Sequence, residues 1–171
     1  MSYDYKSLVR HVPDFPKPGI MFADLTPVFA HAQAFQALIS EFAERYRGKG
    51  ITHVAGIESR GFVLGAPLAV ALNAGFVLLR KPGKLPRKTF SRSYKLEYGE
   101  AALHLHDDAL GPKDTVLLID DLVATGGTLE AGAALIKDSG AKLHEMAAVV
   151  ELSFLHARKK LSGPLHALIH Y

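Results

Sequence analysis

The sequence contains no cysteine, which excludes disulfides and thiolate metal sites and fits a reducing compartment. No G-x-G-x-x-G occurs along it, and no Lys-Ser or Lys-Thr follows its glycine pair. A dinucleotide fingerprint and a Walker loop are therefore both missing. The chain also lacks a large charge of either sign: 20 Lys and Arg stand against 17 Asp and Glu, a net charge of +3. So mild a bias suits an anionic small molecule as well as nucleic acid. With no arginine-rich stripe, recognition-helix pattern or second domain, a nucleic-acid partner is not expected. Internal repeats and low-complexity tracts are absent. The opening MSYDYKSLVRHVPDFP has no apolar core and carries Asp4, unlike a secretory signal, so the expectation is a cytoplasmic protein.

What is present is ordinary globular material. With 171 residues, 49% hydrophobic and 22% charged, the chain is expected to form one domain over 1–171 with a substantial core. One uncharged run of 19 residues, GFVLGAPLAVALNAGFVLL (61–79), approaches the length of a membrane span. Pro67 and the Asn73-Ala74-Gly75 turn signal interrupt it. It reads as a helix over 62–72, a turn and a strand over 76–80, with no membrane partner.

Two strand–helix–strand units follow. The first joins THVAGIE (52–58) to FVLLRK (76–81), and the second joins TVLLID (115–120) to EMAAVVEL (145–152) through a helix over 128–139. Apolar strands alternating with helices imply an α/β fold with an open, mainly parallel sheet flanked by helices. An amphipathic stretch over 35–47 adds a helix whose apolar side is Phe35, Leu38, Ile39, Phe42 and Tyr46. Two segments fit the pattern poorly: 12–29, with four prolines, and the basic 80–100, with little periodicity. Such segments within a domain are often functional.

The chemistry concentrates in VLLIDDLVATGGTLEAG (116–132). Asp120 and Asp121 end a parallel strand, the edge where open sheets bind ligands. Ala124-Thr125-Gly126-Gly127-Thr128 then opens a helix. Converging backbone N–H groups, threonine hydroxyls and the helix dipole make a phosphate cradle there. Two acids beside a phosphate site call for a ligand with hydroxyls or a divalent cation. A ribose 5-phosphate meets that requirement.

This stretch resembles the phosphoribosyl-diphosphate (PRPP) motif of the type I phosphoribosyltransferases. FPKPGIMFADLTPV (15–28), GIESRGFVLGAPLA (56–69), RKPGKLP (80–86), YKLEYGE (94–100) and VVEL (149–152) narrow the resemblance to the members that act on adenine. It covers nearly the whole chain. The implied fold adds a small N-terminal hood, about 1–30, and a flexible lid, about 82–100. The implied reaction is purine salvage: adenine and PRPP give AMP and pyrophosphate, with Mg²⁺ carried by PRPP or pyrophosphate and no metal held directly by the protein. Relatives are typically homodimers.

The resemblance also implies roles for residues. Asp120, Asp121 and Ala124 to Thr128 would hold ribose 5-phosphate. Glu58, Ser59, Arg60, Arg80, Lys81 and Lys84 would hold pyrophosphate, with a cis peptide expected between Glu58 and Ser59. Met21, Phe22 and Ala23 would take adenine, although Ala23 stands where many relatives carry arginine. Glu97 would be the catalytic residue that handles the purine proton, and Tyr98 would help hold the closed lid. The nine histidines give no metal signal: His104 and His106 share a strand face, while His166 and His170 would do so only in a helix. A 6-oxopurine phosphoribosyltransferase and a non-catalytic PRPP- or purine-sensing regulator remain as alternatives.

Overall fold

The computed structural model describes residues 3–15, 17–96 and 99–171. They form two compact units, one ending at Arg45 and the other running from Tyr46 to Tyr171.

In the first unit, β1 (Arg10–Val12) and β2 (Phe22–Asp24) pair antiparallel, with His11 opposite Ala23. Phe15 meets Phe22 edge-on, ring centroids 5.1 Å apart. Asp24 then starts α1 (Thr26–Ala30): its carboxylate accepts from the Thr26 amide and the Thr26 hydroxyl, both at 2.9 Å. Such a short polar side chain at a helix start satisfies an otherwise orphaned amide. The next helix, α2 (Ala32–Tyr46), starts three residues before the predicted 35. Ala34, Leu38, Phe42 and Ala43 form its buried stripe, whereas Phe35 and Ile39 are only half-buried. Phe35 instead packs edge-on against Phe29 at 5.8 Å.

The second unit follows the order β3 (His53–Ile57), α3 (Arg60–Leu72), β4 (Gly75–Leu79), β5 (Thr89–Leu96), β6 (Gly99–His106), β7 (Thr115–Val123), α4 (Gly127–Asp138), β8 (Lys142–Glu151) and β9 (Leu165–His170). Five strands form one parallel sheet in the order β4-β3-β7-β8-β9. Consecutive strand residues face opposite sides. Gly132 of α4 lies against Leu118, and Gly65 of α3 lies against Ile119, so the two helices cover opposite faces. Both faces being covered explains why the strands read as unbroken apolar runs. On the α4 side, Ala55, Ile57, Val77, Leu79, Val116, Leu118, Met146 and Ala148 pack with Leu129, Leu135 and Ile136. Each such leucine or isoleucine contributes about 1.5–3 kcal/mol by leaving water.

The uncharged 61–79 run resolves as the sequence predicts. Helix α3 stops at Asn73, in the left-handed conformation (φ 54°), and β4 begins two residues later. Among the described residues no helix is long and apolar enough to cross a membrane. The basic 80–100 segment corrects its expectation of irregularity. From Thr89 it forms β5, paired antiparallel with β6 from Thr89–His106 to Leu96–Gly99. The period-2 signal is hidden because Arg92 occupies the middle of the inward face, between the half-buried Phe90 and Tyr94. Its guanidinium holds Asp138, at the end of α4, through Nε at 2.6 Å and through Nη2. His166 and His170 also need correction. They lie on β9, and in a strand residues four apart share a face.

Candidate active site

All five strands of the sheet point the same way, so β4, β3 and β7, which are neighbours, bring their carboxyl ends to one edge. Those ends carry Arg80 and Lys81, Glu58 to Arg60, and Asp120 to Thr128 respectively. The topology thus gathers three separate sequence segments into one place.

Strand β7 runs three residues past the predicted end at Asp120, because β8 continues beside it with Leu122 opposite Val150 and Val123 opposite Glu151. Its pairing with β3 stops earlier, at Gly56 opposite Ile119. The two aspartates therefore sit where β3 has turned away into α3. That turn comes very close: a methyl on Gly61 would stand 2.8 Å from the Ile119 carbonyl oxygen and 3.3 Å from Asp120 Oδ1. Only glycine permits this approach.

The acids have different surroundings. Asp121 is 4% exposed, and Arg60 Nε donates to its Oδ2. A buried carboxylate needs such a partner, since leaving it unpaired costs several kcal/mol. Asp120 is half-buried, and its Oδ1 accepts from the Asp121 amide at 2.9 Å. Burial, and then the neighbouring Asp121 carboxylate, raise the Asp120 carboxyl well above the usual carboxylate range. A carboxyl raised by burial and a like charge at the carboxyl end of a parallel strand is a candidate functional group.

The loop after β7 leads to Gly126, the N-cap of α4, at φ 87°. Gly126 has no side chain with which to cap this helix, and the first internal bond runs from the Glu130 amide to the Gly126 carbonyl at 2.9 Å. The amides of Gly127 to Leu129 precede that bond and carry the positive end of the helix dipole. Helix α3 opens in the same manner: Ser59 is its N-cap without a side-chain cap, and the Glu58–Ser59 peptide is cis, as expected. Both helices thus start from N-caps without a side-chain cap, beside the carboxyl ends of adjacent strands.

Glu58 is placed differently from a simple pyrophosphate ligand. Its Oε2 accepts from Arg80 Nε at 3.1 Å and from the Lys81 amide at 2.9 Å. Burial alone would push its carboxyl up, but the Lys81 amide and the Arg80 guanidinium outweigh burial and leave it below the usual range. Glu58 therefore fixes the start of the basic loop. Arg80 Nη1 also reaches the Lys84 carbonyl at 3.3 Å, and its backbone pairs with His104 of β6 at 3.0 and 2.7 Å. The Ser59, Arg60, Lys81 and Lys84 side chains are exposed.

In the first unit Met21 is exposed, Phe22 half-buried and Ala23 buried. Glu97 and Tyr98 lie outside the described residues. Sequence reasoning missed that β5 lies against the start of α4. A methyl on Gly127 would stand 3.4 Å from the Lys95 carbonyl oxygen and 3.6 Å from Tyr94 Cδ2.

Known proteins share this fold. The phosphoribosyl transferase domain family matches residues 28–165. An adenine phosphoribosyltransferase of Anaeromyxobacter dehalogenans is 50% identical over 165 residues, 96% of this chain and 94% of that protein. The crystal structure of adenine phosphoribosyltransferase from Thermoanaerobacter pseudethanolicus superposes with a TM-score of 0.95 at 44% identity, covering 98% of each chain. That of the Saccharomyces cerevisiae enzyme, complexed with adenine and an imino-altritol bisphosphate, gives a TM-score of 0.92 at 38% identity, covering 96% of each chain. The chain belongs to the phosphoribosyltransferase family, among the adenine phosphoribosyltransferases.

Proposed function

We propose that the chain transfers the 5-phosphoribosyl group of PRPP to adenine, forming AMP and pyrophosphate in cytoplasmic purine salvage. The observation that carries this reading is the pair of uncapped helix N-termini beside Asp120 and Asp121. One anion site next to hydroxyl acceptors fits a sugar phosphate. A second, one strand away, fits the diphosphate on the same sugar.

In this reading Ala124, Thr125, Gly126, Gly127 and Thr128 hold the 5-phosphate through backbone amides and threonine hydroxyls. Asp120 accepts from the ribose hydroxyls, and Asp121, steadied by Arg60, supports it. The α3 N-terminus, Ser59, Arg60, Lys81 and Lys84 stabilise the charge that builds on the departing pyrophosphate, while Glu58 and Arg80 hold the loop. Fixed donors aimed at developing charge lower the barrier because they need no reorganisation. Met21, Phe22 and Ala23 take adenine, with the Phe22 ring as the stacking face. Glu97 is assigned the purine proton as general acid or base. Residues 82–100 act as the lid that excludes water, with Tyr98 helping to hold it closed.

Among the described residues no group of three or more His, Cys, Asp or Glu could hold a metal ion. In this reading Mg²⁺ comes with PRPP, bound mainly by diphosphate oxygens and water, as its small size and reluctance to shed water favour. When bound it would neutralise part of the leaving-group charge.

A homodimer accompanies this reading. Between Gly61 and Leu72 helix α3 carries no charge, and Val70 is 82% exposed, with Val63 exposed about two turns away on the same helix and Leu78 exposed on the edge strand β4. A second copy would cover this apolar surface.

The deciding assay offers adenine, hypoxanthine, guanine and xanthine with PRPP and Mg²⁺ and follows nucleotide and pyrophosphate. AMP from adenine alone is expected. Turnover of the 6-oxopurines, or of no base, would replace this reading.

A further inference from the structure

Glu151 ends β8 and is 3% exposed. A buried carboxylate is tolerated only when it is fully engaged. Arg158 engages it on two sides, with Nε at 2.9 and 3.1 Å from the two carboxylate oxygens and Nη2 at 2.6 Å from Oε2. His170 Nδ1 stands 3.3 Å from the same oxygen. Arg158 reaches further: Nη1 donates to the Leu165 carbonyl, at the start of β9, at 2.8 Å. One guanidinium therefore ties the end of β8 to the beginning of β9, and the intervening chain is held as a strap.

The strap has a definite neighbour. Ala157, fully buried in a single turn of 3-10 helix, lies against the N-cap of α4. A methyl on Gly126 would stand 3.2 Å from Ala157 Cβ, 3.4 Å from the Ala157 carbonyl oxygen and 3.3 Å from Leu161 Cδ2. Farther along, the Ser162 amide donates to Glu130 Oε2, in the first turn of α4, at 2.8 Å. The strap thus touches the helix start at its N-cap and again one turn on.

We infer that Arg158, held by Glu151, is a positioning residue for the phosphate-binding loop: through Ala157 it fixes Gly126, and so the direction in which the α4 amides point. The inference rests on the assignment of that loop to the 5-phosphate. It acts on binding of the sugar phosphate and leaves the purine side of the reaction alone. An anion site built mainly from backbone amides, with only two short threonine side chains, has little that can follow a displaced ligand, so its affinity depends on the position of the backbone.

The test measures KM for PRPP, KM for adenine and kcat for the parent, Arg158→Ala, Arg158→Lys and Ala157→Gly. Ribose 5-phosphate binding by calorimetry reads the loop without the reaction. Arg158→Ala is expected to raise the KM for PRPP and the Kd for ribose 5-phosphate by about 10-fold, with the KM for adenine unchanged. Arg158→Lys, which keeps the charge but not the two-sided grip, recovers part of the loss. Ala157→Gly leaves the ion pair intact and gives a smaller loss of the same kind. It decides the matter if Arg158→Ala does not fold. Ribose 5-phosphate affinity equal to the parent's in folded Arg158→Ala, or in Ala157→Gly, overturns the inference. So does a fall in kcat with KM for PRPP unchanged, which is what mere loss of folded protein produces. A parent that binds ribose 5-phosphate yet makes no AMP defeats the proposed reaction and leaves the variants to decide this inference.

Discussion

A carboxylate held out of water beside a second carboxylate carries a cost whenever it is ionised. Asp120 shows it: burial first, and the Asp121 charge second, raise its carboxyl well above the ordinary range. In the unfolded chain the same group titrates near pH 3.9. A folded-state pKa above the unfolded one means that folding favours the protonated form. The stability Asp120 contributes is therefore complete at low pH and is lost as pH rises through the raised value. Asp120→Asn, which stays neutral, should melt higher than the parent above neutral pH without ligand. The gain should shrink as pH falls toward about 4. The same variant should bind PRPP more weakly, a trade of function for stability. Thermal melts across that range check the sign, and a gain that grows toward acid would contradict it. Arg60 and Asp121 belong to the same scale but were not legible as partners: 61 residues separate them, and no local pattern links such a pair.

The start of α4 concentrates most of what the sequence could reveal. Two acids, two glycines and two threonines stand within nine residues, 120–128, so chain order alone brought the proposed cradle together. Gly126 is needed twice there, for its φ of 87° and for its contact with Ala157. Gly126→Ala should destabilise the fold by about 1 kcal/mol through the left-handed conformation. It should weaken PRPP binding by more than it changes the KM for adenine. Steady-state kinetics on the folded variant decide it, and PRPP affinity equal to the parent's would remove Gly126 from the phosphate site. The β5–β6 hairpin was illegible for the opposite reason. Its inward face is interrupted by Arg92, whose partner Asp138 lies 46 residues away on α4, so alternation of apolar residues does not announce the strand. The strap of 153–162 was equally hidden, because Glu151 and Arg158 meet across irregular chain with no period to detect.

At the scale of the whole molecule, the order of apolar strands and helices was enough to predict the parallel sheet, since covered strands leave unbroken apolar runs. The sequence could not say which strands are neighbours. That order, β4-β3-β7, is what turns three short motifs into one edge. It also leaves β4 as an edge strand, near the uncharged face of α3. If a second copy covers that face, Val70→Asp should place a charge within the interface and convert a dimer to a monomer in sedimentation experiments. A monomeric parent would remove the homodimer from the account. The central claim is that the helix start after Asp121 holds a 5-phosphate while Asp120 meets the ribose. A crystal structure with AMP bound tests it most directly. The account predicts the phosphate oxygens within about 3 Å of amides in 124–128 and the ribose hydroxyls beside Asp120. A nucleotide whose phosphate lies at the α3 N-terminus, or away from this sheet edge altogether, would contradict it.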